Sequence, residues 1–181
     1  MKRHTYKTIW ICSVMLLFFI GCNTKTKQIK QCVENMMENP VSLQLNKMRN
    51  CRIGINKNKS EYKMIVYVDS SECTPCSMSK LRFWNPIIET ARKKKIRVEY
   101  IFIVAPKPSE MEDINLELSI TDLQSSIYLD TAYVFRKSNP SIPAEKKYHS
   151  FLLDKNNKIV FVGSPVENEQ LKRIYNKTIG L

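Results

Sequence analysis

The chain has 181 residues, of which 43% are hydrophobic and 25% are charged, and this composition is typical of one folded domain with a sizeable core. It excludes a disordered chain and a collagen-like repeat, and six cysteines are too few for a small disulfide-dense protein. The net charge of +12 is compatible with a nucleic-acid partner, so the position of the charges along the chain has to decide whether one is expected.

The N-terminus has the pattern of an export signal. Lys2, Arg3 and Lys7 place positive charge ahead of an apolar run over residues 9–20. This run is shorter than the roughly 20 apolar residues that a membrane-spanning helix needs, which makes a retained transmembrane anchor the weaker alternative. Residues 1–21 are therefore predicted to be a signal peptide.

The end of this signal, Phe19-Ile20-Gly21-Cys22, resembles the lipobox of bacterial lipoproteins, in which the cysteine is lipidated and becomes the first mature residue. The resemblance implies that lipidated Cys22 holds the protein on a membrane in the cell envelope, facing the periplasm. Several acyl chains together give the stable anchoring that a single chain does not. An ordinary cleaved signal, with Cys22 incidental, is the alternative.

The predicted mature chain remains basic. Residues 1–21 contain three Lys or Arg and no acidic residue, so 26 basic and 17 acidic side chains remain, a net charge of +9. Lys25, Lys27 and Lys30 favour anionic headgroups, and the basic run at residues 92–95 is typical of the solvated end of a helix. Because no aromatic residues alternate with these charges, as they would in a nucleic-acid groove, we expect no nucleic-acid partner.

Residues 22–39 are predicted to form a polar tether and a short amphipathic helix, with apolar residues recurring at helical spacing. The main domain is predicted over residues 40–181. It opens with an alternating segment at residues 41–45, which predicts an edge strand. A near-continuous apolar run at residues 64–68 then predicts a strand that is covered on both faces.

A helical stretch at residues 73–95, kinked at Pro86, leads to a second apolar strand at residues 97–104. A strand, a helix and a strand at this spacing form a parallel unit with a crossover. The later elements are a helix at 109–121, a strand at 127–129, a helical turn at 132–137, hairpin strands at 150–153 and 159–162 around a turn with two Asn, and a final helix at 167–179. This order predicts an α/β fold with a central mixed sheet, helices on both faces, and a C-terminal antiparallel hairpin plus helix.

The segment Cys73-Thr74-Pro75-Cys76 lies between the first strong strand and the following helix. Free backbone N–H groups and the helix dipole favour a thiolate at Cys73, and the thiolate is the attacking species in disulfide exchange. Cys76, one turn later, can resolve a mixed disulfide by attacking Cys73. Pro75 suits the first helical turn, where its missing N–H is not needed. The cysteine pair is then itself the redox group, and no cofactor or metal is expected.

These residues resemble the motif C-x-P-C of the thioredoxin-like superfamily, and within it that of the exported, membrane-anchored TlpA-like and ResA-like thiol-disulfide oxidoreductases. Residues 150–160 are similar to the hairpin of the same proteins. The resemblance covers about residues 60–180 and implies a thioredoxin-like fold. It also implies exchange of disulfides with exported client proteins, and an electron donor whose identity the sequence does not give.

The sequence departs from that family at three positions. Glu72 stands where a Trp usually precedes the first cysteine, and its negative charge makes the thiol of Cys73 less acidic. A less stable thiolate favours the disulfide, so Glu72 predicts a reductase. Tyr148 aligns with the usual cis-Pro, and Tyr67 stands where many thioredoxins carry a buried acid.

The resemblance places Lys147, Tyr148 and His149 in the loop that faces the motif and the substrate. His149 is the only histidine of the predicted mature chain. Its imidazole either assists proton transfer or belongs to an ordinary surface residue.

Other interpretations of the cysteines remain open. A structural zinc site would combine Cys32, Cys51, Cys73 and Cys76, but the sequence has one C-x-x-C pair where such sites usually have two. The context of a peroxiredoxin cysteine is absent. Cys32 and Cys51 form a disulfide worth about 3 kcal/mol or stay reduced and buried. Finally, the motif could be redox-inert in a non-catalytic thioredoxin-fold lipoprotein that binds a partner.

The lipid anchor is tested by replacing Cys22. Cys22→Ala should abolish incorporation of labelled fatty acid and leave the precursor unprocessed by lipoprotein signal peptidase, because the acylated sulfur is lost. Metabolic labelling and the precursor mass measure both effects. Normal processing of the variant, together with an unlabelled parent protein, would show that the signal is of the ordinary cleaved kind.

Overall fold

The computed structural model describes residues 26–52, 54 and 60–181. Helix α1 covers residues 26–38, and none of the described helices is long and apolar enough to cross a membrane. The chain divides into two compact units between Met36 and Met37, and the sheet belongs to the second. Its strands are β1 Arg49–Arg52, β2 Tyr62–Val68, β3 Val98–Val104, β4 Ser126–Leu129, β5 Ser150–Leu153 and β6 Ile159–Val162.

Five further helices belong to the second unit as described: α2 Thr74–Met78, α3 Asn85–Lys93, α4 Met111–Ile120, α5 Val134–Ser138 and α6 Glu169–Ile179. Short 3₁₀ turns lie at Leu45–Lys47, Leu81–Trp84, Pro108–Glu110 and Lys146–Tyr148. The strands form one six-stranded sheet in the order β1-β4-β3-β2-β5-β6. Neighbours β2, β3 and β4 are parallel, whereas β5 pairs antiparallel with β2 and β6, and β1 pairs antiparallel with β4. The predicted mixed sheet and C-terminal hairpin are confirmed.

Both faces of the sheet are covered, which explains why β2 and β3 are apolar almost throughout. On one face, Phe102 of β3 lies in a core cluster with Trp84 and with Tyr175 of α6, and the Trp84 ring meets the Phe102 ring edge-on at 5.8 Å. On the other face, Tyr67 of β2 packs against Phe135 of α5 with their ring centroids 4.8 Å apart. The prediction of helices on both faces is therefore confirmed.

A buried carboxylate fixes the start of α5. Asp130 is 1% exposed, and its two oxygens accept hydrogen bonds from the backbone N–H groups of Val134 (2.7 Å) and Phe135 (2.8 Å). These donors have no partner inside a helix, because they belong to its first turn. Asp130 thereby holds Phe135 beneath the end of β2 from which the cysteine motif departs.

The predicted continuous helix over residues 73–95 is wrong. The helical path is interrupted at Ser79, whose hydroxyl donates to the Cys76 carbonyl at 3.0 Å, and at Lys80, whose N–H donates to Ser77 in a tighter turn. No kink forms at Pro86, because this residue lies in the first turn of α3, where a proline needs no N–H partner.

The predicted edge strand at residues 41–45 is also wrong. The N–H of Val41 donates to the Asn157 carbonyl and that of Ser42 to the Asn139 side chain, both at 2.8 Å, so these groups take part in loop contacts. Gln44 has a left-handed backbone (φ 43°), which a strand does not tolerate. The two edges of the sheet are formed by β1 and β6.

The role of Asp130 is tested by unfolding in urea. Asp130→Ala should lower the free energy of unfolding by about 2–3 kcal/mol, because two buried N–H groups lose a charged acceptor. Asp130→Asn keeps one acceptor oxygen and should lose less. The control Asp122→Ala removes an exposed carboxylate and should stay within about 0.5 kcal/mol of the parent. An Asp130→Ala midpoint equal to that of the control would contradict this account of α5.

Candidate functional site

The cysteine motif directly follows the central strand β2. The chain leaves β2 at Val68, turns through residues 69–72, and enters α2 with Cys73 at the N-cap. Cys73 and Cys76 are joined by a disulfide, with their Cα atoms 5.3 Å apart, and both residues are exposed. Pro75 lies in the first turn of α2, as the sequence predicts. Both cysteines are thus accessible to a second protein.

Thr74, between the two cysteines, is fully buried and anchors the motif. The carboxylate of Glu110 lies nearby and accepts the backbone N–H of Lys107 at 3.1 Å, whereas the Thr74 hydroxyl has no hydrogen-bond partner among the described residues. Burial acts to raise the pKa of Glu110, but the contacts with Lys107 and Thr74 outweigh it and hold this pKa below its usual value. The inward-facing Thr74 leaves its two cysteine neighbours at the surface.

Glu72, which precedes the motif, is not an isolated anion. Its side chain is 14% exposed, and the Lys146 Nζ lies 2.8 Å from its Oε2. The hydroxyl of Ser77 donates to the same oxygen at 3.2 Å, and the Nδ1 of His149 lies 3.4 Å from Oε1. Glu72, Lys146 and His149 are called the charged cluster below. The charge predicted beside Cys73 is therefore partly compensated.

The charged cluster keeps Glu72 ionised. Burial alone would raise the pKa of this carboxyl, but the contacts with His149, Lys146 and Ser77 outweigh it and lower the pKa to about 2. The contact with His149 is poorly aligned for a hydrogen bond, and neither Glu72 Oε1 nor His149 Nδ1 has a hydrogen-bond partner among the described residues. This contact is an ion pair only when the imidazole is protonated, since a neutral ring carries no charge.

His149 is buried, so the alternative that it is an ordinary surface residue is wrong. The side chain is 2% exposed, and its Nε2 lies 3.0 Å from the carbonyl oxygen of Pro143. The ring of Tyr67 meets the imidazole edge-on, with centroids 5.3 Å apart. The N–H of Tyr67 donates to the His149 carbonyl at 2.8 Å, which ties this loop to the end of β2.

Tyr67 occupies the position at which the resemblance predicts a buried acid. Burial raises the pKa of its phenol, and the neighbouring carboxylate of Asp69 raises it further. The pKa of Asp69 itself is lowered, because contacts with Ser71, Tyr67 and His149 outweigh the effect of burial. Tyr67 therefore stays neutral, and the ionised groups nearest the motif are carboxylates and the loop cations.

A cleft of about 140 Å³ opens beside the motif. Its apolar part includes Phe83, which is 54% exposed, together with Trp84. The charged cluster and Lys147 also line it, so the structure brings two of the three predicted loop residues to this cleft. The third, Tyr148, is buried and does not line the cleft. The described residues contain no cis peptide bond.

Some site residues have no signal in the sequence. Lys146 is one of several lysines, and its contact with Glu72 depends on the fold.

The predicted lipidation site, Cys22, lies outside the described residues. Cys32, in the first unit, and Cys51, in the second, are each free, half-buried thiols. The part of the chain that the structure describes has no group of three or more His, Cys, Asp or Glu placed to hold a metal ion.

Solved structures share this architecture. A proposed protein disulfide isomerase from Bacteroides thetaiotaomicron superposes with a TM-score of 0.50 at 18% identity, covering 80% of this chain and 87% of that one. A thioredoxin-like protein from Bacteroides caccae gives 0.46 at 14% identity, covering 68% of this chain and 42% of that one. The fold is thioredoxin-like. An uncharacterized thioredoxin-like protein from Porphyromonas gingivalis gives 0.48 at 16% identity, with 74% and 88% covered.

These similarities lie at the level of the fold. No protein-family model matches the sequence, and no curated protein sequence is similar to it. The chain spans less than half the length of the Bacteroides caccae protein. A thioredoxin-like fold hosts several functions, so the function has to be derived from the residues of the site.

The charged cluster is tested by the pH dependence of stability. The pKa of Glu72 is lowered from 4.5 to about 2, so its contacts stabilise the fold fully above about pH 4.5 and this contribution is lost as the pH falls towards 2. Glu72→Gln should therefore cost on the order of 2 kcal/mol at neutral pH and should approach the parent protein near pH 2. Urea midpoints across this range measure the difference.

Glu112→Gln is the matched control, since it removes an exposed carboxylate on α4. Its stability difference from the parent should be small at every pH. A Glu72→Gln difference that is equally large at pH 7 and pH 2 would show that the cost comes from packing and not from the charge.

Proposed function

We propose that this protein is a thiol-disulfide oxidoreductase that exchanges disulfides with exported client proteins through Cys73 and Cys76. The observation that carries the proposal is the exposed disulfide between these residues, immediately after the central strand of a thioredoxin-like fold. A structural disulfide gains nothing from exposure at the surface, whereas exchange requires that a second molecule reaches the sulfur.

In the proposed reaction, the thiolate of Cys73 attacks one sulfur of a client disulfide. A mixed disulfide forms, and the other client sulfur leaves as a thiolate. Cys76, as a thiolate, then attacks the sulfur of Cys73 and releases the second client thiol. Two electrons pass to the client, the Cys73–Cys76 disulfide remains, and a separate electron donor must reduce it before the next cycle.

The direction that we propose is reduction of the client. The carboxylate of Glu72, adjacent to Cys73, disfavours a second negative charge there. A less stable thiolate shifts the couple towards the disulfide, and such a couple gives up its electrons more readily. At the cleft beside the motif, Phe83 is 54% exposed and supplies an apolar surface against which a client segment can pack.

The same proposal places the protein in the cell envelope. Its support is the sequence of residues 1–22, which combines a basic start, a short apolar run and the Gly21-Cys22 junction. Lipidation at Cys22 would hold the domain at a membrane surface, facing the periplasm, where client disulfides persist.

The two cysteines are predicted to have different roles. Cys76→Ser should accumulate mixed disulfides through Cys73, because the resolving thiol is missing, whereas Cys73→Ser should accumulate few. Non-reducing electrophoresis and mass spectrometry of the trapped complexes measure the difference, and alkylation at neutral pH should label Cys73 faster. Because both cysteines are exposed, access alone would not produce this asymmetry.

The matched control is Cys51→Ser, which removes a free thiol outside the motif and should leave trapping unchanged. Slow and equal alkylation of Cys73 and Cys76, with no trapped partner in either variant, would contradict the proposed oxidoreductase activity. The chain would then be a non-catalytic thioredoxin-fold lipoprotein that binds a partner.

A further inference from the structure

The imidazole of His149 faces a hydrogen-bond acceptor at each nitrogen. Its Nε2 lies 3.0 Å from the carbonyl oxygen of Pro143, and its Nδ1 lies 3.4 Å from the Oε1 of Glu72. A carbonyl oxygen can only accept, and so can an ionised carboxylate. A neutral imidazole has one donor and one acceptor nitrogen, so a neutral ring would direct a buried lone pair at one of these oxygens.

A protonated Glu72 is not the explanation for the contact between Glu72 and His149. Its Oε2 already receives the ammonium of Lys146 at 2.8 Å and the hydroxyl of Ser77 at 3.2 Å, both of which favour the ionised carboxylate. The pKa of Glu72, lowered to about 2, agrees with this assignment. With Glu72 ionised, a neutral ring would leave an uncompensated lone pair 3.4 Å from a buried anion, whereas a positive ring is attracted to it without needing a well-aligned hydrogen bond.

We propose that His149 is a buried imidazolium and that, together with Lys146, it is a positioning residue that opposes the charge of Glu72 and so raises the reduction potential of the Cys73–Cys76 couple. The proposal rests on the proposed function. It adds the regulation of the redox site by two cations of the loop that precedes β5.

The other groups that face His149 are consistent with a positive ring. Tyr67 of β2 presents its aromatic ring, and Asp69, beyond the end of β2, is a second carboxylate close to the imidazole. Lys146 contacts the opposite oxygen of Glu72 and remains 57% exposed. The imidazolium, in a ring that is 2% exposed, and Lys146 together balance the two carboxylates.

The consequence for the redox couple follows from the order of the chain. Glu72 is bonded directly to Cys73, so any group that neutralises its charge changes the electrostatic free energy of a thiolate at Cys73. Removing a cation from the charged cluster destabilises that thiolate and favours the disulfide. Removing the carboxylate of Glu72 stabilises the thiolate at Cys73 and favours the dithiol. A mere loosening of the loop would shift the potential in one direction whichever member of the cluster was replaced.

The experiment equilibrates the full-length protein and its variants with reduced and oxidised glutathione at neutral pH. His149→Gln and Lys146→Gln should each shift the equilibrium towards the protein disulfide, by about threefold for His149→Gln, which is about 15 mV. Glu72→Gln should shift it by a similar factor towards the dithiol. Lys155→Gln removes an exposed cation from the far end of β5 and should leave the equilibrium unchanged.

A second measurement reads the protonation of His149 directly, with the charged cluster unaltered. Nitrogen-15 spectra should show the two ring nitrogens with the similar chemical shifts of an imidazolium, and not the widely separated shifts of a neutral ring. The chain has two histidines, so His4→Gln leaves the His149 signals alone in the spectrum.

The outcomes separate this proposal from the proposed function. A neutral ring in the spectrum, an unchanged equilibrium in His149→Gln, or shifts of one sign in all three cluster variants would overturn the role of His149. If Cys73–Cys76 did not equilibrate with glutathione in the parent protein, the proposed function would fail, whereas the spectrum would still report the state of the ring.

Discussion

The antiparallel pairing of β5 with the central strand β2 is the constraint on which the site depends. The register sets Val66 opposite Ser150, and the N–H of Tyr67 extends the pairing to the carbonyl of His149 at 2.8 Å. The loop that precedes β5 therefore lies against the end of β2 from which the cysteine motif departs. Glu72 meets Lys146 and His149 for this reason alone, since the residues are far apart in the sequence.

The motif is held from two sides while both of its cysteine residues stay exposed. Thr74 is buried near Glu110, and Glu72 is bound by the loop cations. These contacts are made by the residues immediately before and after Cys73. They therefore restrain the backbone and leave both cysteine residues exposed. A preorganised backbone with exposed cysteine residues suits exchange with another protein, because the mixed disulfide then forms with little rearrangement.

The sequence predicts what depends on local pattern and misses what depends on single contacts. The apolar runs of β2 and β3 identify the parallel core, and Asn157 adopts the left-handed turn (φ 59°) expected of the hairpin. The break at Ser79 escapes prediction because apolar residues continue at helical spacing through it. The cysteine pair is visible from its spacing, whereas Lys146 is not, since its role exists only after β5 has paired with β2.

The reduction potential of the parent protein decides whether Cys73 and Cys76 form a functional redox couple, as we propose. Mass spectrometry after alkylation, across a range of glutathione ratios, counts the two sulfurs as they are reduced. We expect Cys73 and Cys76 to be reduced together in one two-electron transition. Its potential should lie in the range of about −120 to −270 mV that known redox-active pairs occupy. A disulfide that resists reduction to below about −300 mV would behave as a structural bond and would contradict the claim.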